Sequence, residues 1–129
     1  MTVTITPFLR KALLADALVS GAAAFVMAAG AGVLDPLTGL PAALLFWAGL
    51  ALIPFVLVLA VVARRETVSR LVLIDIIAIN ALWVAGSFAI LLAGAVAPNL
   101  LGYVFVAAQA LTVALFAELQ FVGLRRSAA

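Results

Sequence analysis

The sequence predicts an all-α protein, a four-helix transmembrane bundle of up-down antiparallel topology. Three observations carry that prediction. Hydrophobic residues make up 69% of the 129-residue chain and charged residues only 9%, with a mean hydropathy of +1.42. A water-soluble domain is about half apolar and about a quarter charged, so lipid must be the solvent here. The apolar residues fall into four runs, each longer than the roughly 20 residues that cross the hydrocarbon core as a helix. All seven basic residues lie at the ends of these runs: Arg10 and Lys11, then Arg64, Arg65 and Arg70, then Arg125 and Arg126.

The first run spans about 12–34. Thr6 before Pro7 predicts the helix entry, with Thr as N-cap and Pro in the first turn. Met1 to Leu9 reads as a short interfacial lead-in. Arg10-Lys11 followed by an apolar stretch containing Ala29-Gly30-Ala31 has the outline of a signal peptide. Its length and Asp16 predict a retained span instead. Asp35-Pro36-Leu37-Thr38-Gly39 has the composition of a turn.

The second run spans about 40–63, with Pro41 suited to its first turn and Pro54 placed to kink it or free a carbonyl. The third spans about 71–94 after a charged loop from Arg64 to Arg70. Ala95 to Asn99, with Pro98, predicts a tight turn into the fourth span, about 100–124. No repeat divides the chain, which reads as a single integral membrane domain over 1–129.

Short turns between four spans place both termini on one side. The turns around Asp35 and Pro98 contain no Lys or Arg. The positive-inside rule therefore predicts cytoplasmic termini and a cytoplasmic Arg64–Arg70 loop. Cations at helix ends also account for a net charge of +2 and a pI near 10.0 without nucleic acid.

The chain has no Cys and no His, which excludes disulfides, thiolate chemistry and imidazole acid/base or metal ligation. No phosphate-binding loop, dinucleotide fingerprint or nucleophile set is present. The expectation is a non-enzymatic protein without cofactor or metal.

Function must then rest on polar residues inside the spans. Asp16, Asp75 and Glu118 lie roughly 7–11 Å along their helices from Lys11, Arg70 and Arg125, which predicts one acidic layer in the cytoplasmic third. Three readings compete for it: pairing with the nearby cations, a shared acidic pocket open to the cytoplasm, or a protein interface. Glu118 lies over Ala114, Leu111 and Ala107, a face predicted to pack closely. Gln109 and Gln120 share the opposite face. Asp16, Ser20, Ala23, Met27 and Gly30 form a stripe predicted to face another helix.

Asn80, Trp83 and Ser87 share a face of the third span, with Asn80 about 15 Å from Arg70 and near the midplane. An amide there must find a partner. Trp83 is too deep for an aromatic belt, so it faces protein or ligand. Asn80, Trp83 and Ser87 are the candidate ligand-binding set, for a flat amphiphile such as a quinone. Asp16, Asp75, Glu118 and Gln120 are the candidate polar cluster. Phe46, Trp47, Phe55, Tyr103 and Phe105 read as packing or interface anchors, and Gly49 and Gly94 as packing or turn residues.

Ile79-Asn80-Ala81-Leu82-Trp83-Val84-Ala85-Gly86-Ser87 and Phe116-Ala117-Glu118-Leu119-Gln120-Phe121-Val122-Gly123-Leu124-Arg125-Arg126, with the four-span plan, resemble small uncharacterised integral membrane proteins of proteobacteria. The resemblance implies a bacterial inner membrane location and no known activity. The small multidrug resistance family is similar in size, with a carboxylate in its first span as Asp16 is here, but the surrounding residues differ and its acid is Glu. Taken together, the sequence leads to an accessory or scaffolding subunit. Its expected partners are the bilayer and a homo-oligomer or larger complex, with a lipid or quinone between helices. The alternative is a small dimeric cation- or proton-coupled transporter using its membrane carboxylates.

Overall fold

A computed structural model describes residues 1–94 and 96–128; Ala95, from the turn predicted over 95–99, and Ala129 lie outside the described residues. The elements are β1 (Thr2–Thr4), α1 (Pro7–Ala29), α2 (Ala31–Thr38), α3 (Ala42–Ala63), β2 (Thr67–Ser69), α4 (Arg70–Leu92) and α5 (Leu100–Ala128). Helices α1, α3, α4 and α5 are each long and apolar enough to cross a membrane. The protein is therefore a multi-pass membrane protein with an all-α bundle, as its hydropathy predicts.

Four details differ from the sequence expectation. The turn at 35–39 is instead mostly helical: α1 breaks at Gly30, and α2 carries the chain to Gly39, whose φ of 73° caps it in the left-handed region. Asp35 then serves α3, accepting from the Ala42 amide at 2.9 Å. This satisfies a free N–H at a helix start, where a negative charge is also favoured. Helix α5 runs past 124, so Arg125 and Arg126 sit in its last turn, complementing the helix dipole. The third span ends at Leu92 rather than Gly94, which has φ 69°.

The fourth difference is a pair of strands at the end of the bundle that holds the N-terminus. Thr2-Val3-Thr4 pairs antiparallel with Thr67-Val68-Ser69 in the register Val3↔Val68. The alternation places both valines inward, 3% and 7% exposed, against Leu9, Leu13, Leu59 and Leu124. This β-branched, period-2 pattern was present in the sequence, but three residues are too few to stand out beside long apolar runs. Arg10 fastens the same corner by donating to the carbonyls of Ala63 and Arg65 at the end of α3.

Around the bundle the helices follow the order α3, α1, α5, α4. Gly49 makes the α3–α1 contact possible: a Cβ there would lie 2.7 Å from the Ala28 nitrogen and 2.9 Å from the Ala24 carbonyl oxygen. Such backbone contact is the usual service of small residues in membrane bundles. At the end opposite the strand pair Asn99 ties the start of α5 to α2, donating to the Leu37 carbonyl at 2.8 Å and accepting from the Gly102 amide at 2.9 Å.

Candidate functional site

Two polar clusters occupy the interior. The first joins three helices. Asp16, on the inward stripe of α1, is fully buried and accepts from Ser20 Oγ at 2.8 Å, Asn80 Nδ2 at 2.8 Å and Gln120 Nε2 at 2.7 Å. Asn80 Nδ2 also donates to Gln120 Oε1 at 2.9 Å. A carboxylate only accepts, so it fixes which way both amides point. All the partners of Asp16 are uncharged. Hydrogen bonds to a charged group are worth about 1.5–3 kcal/mol each, which offsets the cost of burying it.

The second cluster bridges α4 and α5 farther from the strand pair. Trp83 Nε1 donates to Gln109 Oε1 at 2.6 Å, and Gln109 Nε2 donates to Ser87 Oγ at 2.9 Å and to the Val106 carbonyl at 3.0 Å. Ser87 Oγ donates to the Trp83 carbonyl at 2.7 Å. The indole N–H can only donate, and this orients the Gln109 amide.

Between the clusters lies a cavity of about 600 Å³. All four spanning helices contribute to it: Ser20 and Met27 from α1, Phe55 from α3, Asn80 and Trp83 from α4, Gln109 from α5. A second cavity of about 420 Å³ adjoins it and shares Met27, Ile79, Trp83, Phe105 and Gln109. Val19 and Val104 line the first and are 42% and 55% exposed; Leu82 lines the second and is 71% exposed. The cavities therefore reach the lipid-facing surface. A chamber of 300–1,000 Å³ lined by apolar side chains with a few fixed polar groups has the character of a small-molecule site.

The candidate ligand set converges in part. Asn80 and Trp83 line the larger cavity, and Ser87 lines only the smaller one while holding Gln109. Asp16 and Gln120 are its support, hidden behind Asn80. The three acids do not converge on one pocket. Asp75 and Glu118 are both exposed on the helix surfaces. Relative to Gln120, Glu118 is turned by about 160° on α5, away from the core. Leu111, on the same face, is 64% exposed, so that face lies on the outside of the bundle. Asp75 borders a groove between α3 and α4 beside Pro54 and Val58. Equal depth is not convergence: three helices share a layer only where their faces also meet.

Ser20 and Gln109 complete the site. Ser20 read as packing, yet it carries one of the three donors to Asp16. Gln109 had been placed only by its face, and the signal for its partner was the donor-only Trp83 on the neighbouring span. Phe55 and Phe105 line the cavity, while Trp47 and Tyr103 are 66% and 45% exposed, as anchors would be.

No family model, curated protein or solved structure matches this chain.

Proposed function

We propose that this protein is a non-enzymatic accessory or scaffolding subunit of a bacterial inner membrane, holding a lipid-derived amphiphile between its helices. The cavity carries the reading: about 600 Å³ of mostly apolar space, reached from the bilayer side and floored by Asn80 and Ser20. A lipid tail fits its walls, and a small polar head fits its floor. The support behind the floor is rigid, since Asp16 pins Ser20, Asn80 and Gln120 together. Such pre-organisation lowers the entropic cost of binding. The one-sided cations support cytoplasmic termini, and the likeness to small proteobacterial four-span proteins supports the inner membrane.

The transporter reading draws less support. It needs a carboxylate in a buried site that water reaches. Asp16 is sealed behind its donors, and Asp75 and Glu118 face outward.

The test is purification in mild detergent, solvent extraction and mass spectrometry of whatever is retained. One amphiphile near stoichiometric amount is expected, and Ala23→Phe, which fills the cavity, should lose it while still folding. A lipid-free particle, or retention unchanged by Ala23→Phe, would sink the proposal.

A further inference from the structure

The polar side chains lining the two cavities have no hydrogen left to donate. Ser20 Oγ donates to Asp16. Both amide hydrogens of Asn80 are taken, by Asp16 and by Gln120. The Trp83 indole N–H goes to Gln109 Oε1, and the Gln109 amide goes to Ser87 Oγ and to the Val106 carbonyl. Ser87 Oγ donates to the Trp83 carbonyl, and Thr112 Oγ1 donates to the Ala108 carbonyl at 2.8 Å. With Met27, a thioether, these complete the side chains with polar or sulfur atoms along both walls. Around Asn80 and Ser20, which lie in mid-helix, the backbone N–H groups are spent within the helices; the first-turn lining residues Leu44 and Leu101 belong to the starts of α3 and α5.

What remains are acceptors. Asn80 is 3% exposed, and its Oδ1 accepts no hydrogen bond among the described residues. Ser20 Oγ keeps its lone pairs, because it donates to Asp16 and accepts nothing among the described residues. Gln109 Oε1 has one lone pair beyond the indole. Among the described residues, neither cavity is lined by Lys or Arg. The nearest fixed charge behind the floor is the carboxylate of Asp16, one hydrogen bond beyond Asn80 and Ser20.

From this inventory we infer that the head group of the ligand is a hydrogen-bond donor without negative charge: a hydroxyl, an amine or a quinol. A quinone, an ester or an ether offers acceptors only, and would leave acceptor facing acceptor at Asn80. A carboxylate or phosphate head would also meet the field of Asp16. The inference rests on the ligand-holding reading above and narrows its chemistry. It replaces the quinone expected from the Asn–Trp pair with its reduced form.

The experiment uses the full chain in nanodiscs, with Trp47→Phe leaving Trp83 as the sole indole reporter. Farnesol and farnesyl methyl ether share a tail and differ by one donor. Decyl-ubiquinol and decyl-ubiquinone form a second such pair. Quenching or shift of Trp83 emission reads the affinity. The donor-headed member of each pair should bind roughly tenfold tighter, the worth of one buried hydrogen bond. Asn80→Leu should reduce that preference to within about twofold. Should that variant fail to fold, Ser20→Ala is the milder change, and it should shrink the preference while retaining the fold. Equal binding, or tighter binding of the ether and quinone, overturns the inference and leaves the ligand-holding reading standing. Binding of none of the four overturns that reading and the inference with it.

Discussion

Asn80 Nδ2 lies 2.8 Å from Asp16 Oδ2, a hydrogen bond that ties α4 to α1 across 64 positions of sequence. The backbones of these two helices approach less closely than those of α1 and α3, so the polar pair joins helices that also share the core of Leu9, Leu13, Leu73 and Ile76. Its loss should be felt as a pair. Asp16→Ala leaves the Ser20, Asn80 and Gln120 donors without their acceptor and should cost about 1–3 kcal/mol. In a double-mutant cycle of Asp16→Ala and Asn80→Ala, the coupling should be about 0.6–2 kcal/mol. Reversible unfolding in mixed detergent, followed by far-UV circular dichroism, measures both quantities. A coupling near zero would mean that the contact does not hold the helices together.

The outward-facing acids should behave in the opposite way. Asp75→Asn and Glu118→Gln remove charges with no bonded partner among the described residues, and their effect on stability should stay within about 0.5 kcal/mol. Ion flux into liposomes should be equal for the parent and both variants. A flux lost specifically on Glu118→Gln would revive the transporter reading.

Much of this architecture was legible from residue type alone. Hydropathy gave the four spans, and the 3.6-residue period placed Gln109 and Gln120 on one face of α5 and Glu118 opposite them, without saying which face turns inward. The period also put Asp16 and Ser20 on one stripe of α1. It could not say which stripes meet. Asp16 and Asn80 were read as members of different layers because depth was measured from the nearest cation on each helix. Arg70 begins α4 at its first residue, whereas Arg10 and Lys11 lie one turn inside α1. Counted from the helix starts instead, the two side chains lie at nearly equal depth. The helix α2 was missed for a different reason: Asp, Pro, Thr and Gly compose both a turn and a short capped helix.

Glycine placement gives a contrast between two substitutions of identical chemistry. Gly49→Ala would push a methyl group into the backbone of α1 at Ala24 and Ala28, with no flexible side chain to yield. It should destabilise the bundle by about 1–3 kcal/mol. Gly86→Ala places its methyl in open space within α4. That change should be neutral or stabilising by up to about 1 kcal/mol. Unfolding of both variants in one detergent checks the difference. Equal effects would show that α1 and α3 do not approach closely at Gly49.

Topology offers the remaining test, and the absence of native cysteine makes it clean. Glu66 is exposed in the loop that β1 and Arg10 hold against the ends of α1 and α3, and Ala97 is exposed at the opposite end. Five of the seven cations, Arg10, Lys11, Arg64, Arg65 and Arg70, belong to the Glu66 end by sequence and by the strand pairing. Arg126, over the ring of Phe8 at 4.9 Å, brings the end of α5 to the same side. Cation retention should therefore keep this end in the cytoplasm. In intact cells a membrane-impermeant maleimide should label Ala97→Cys at once, and Glu66→Cys only after permeabilisation. The reverse pattern would invert the orientation, and the strand pair would then lie outside with every cation.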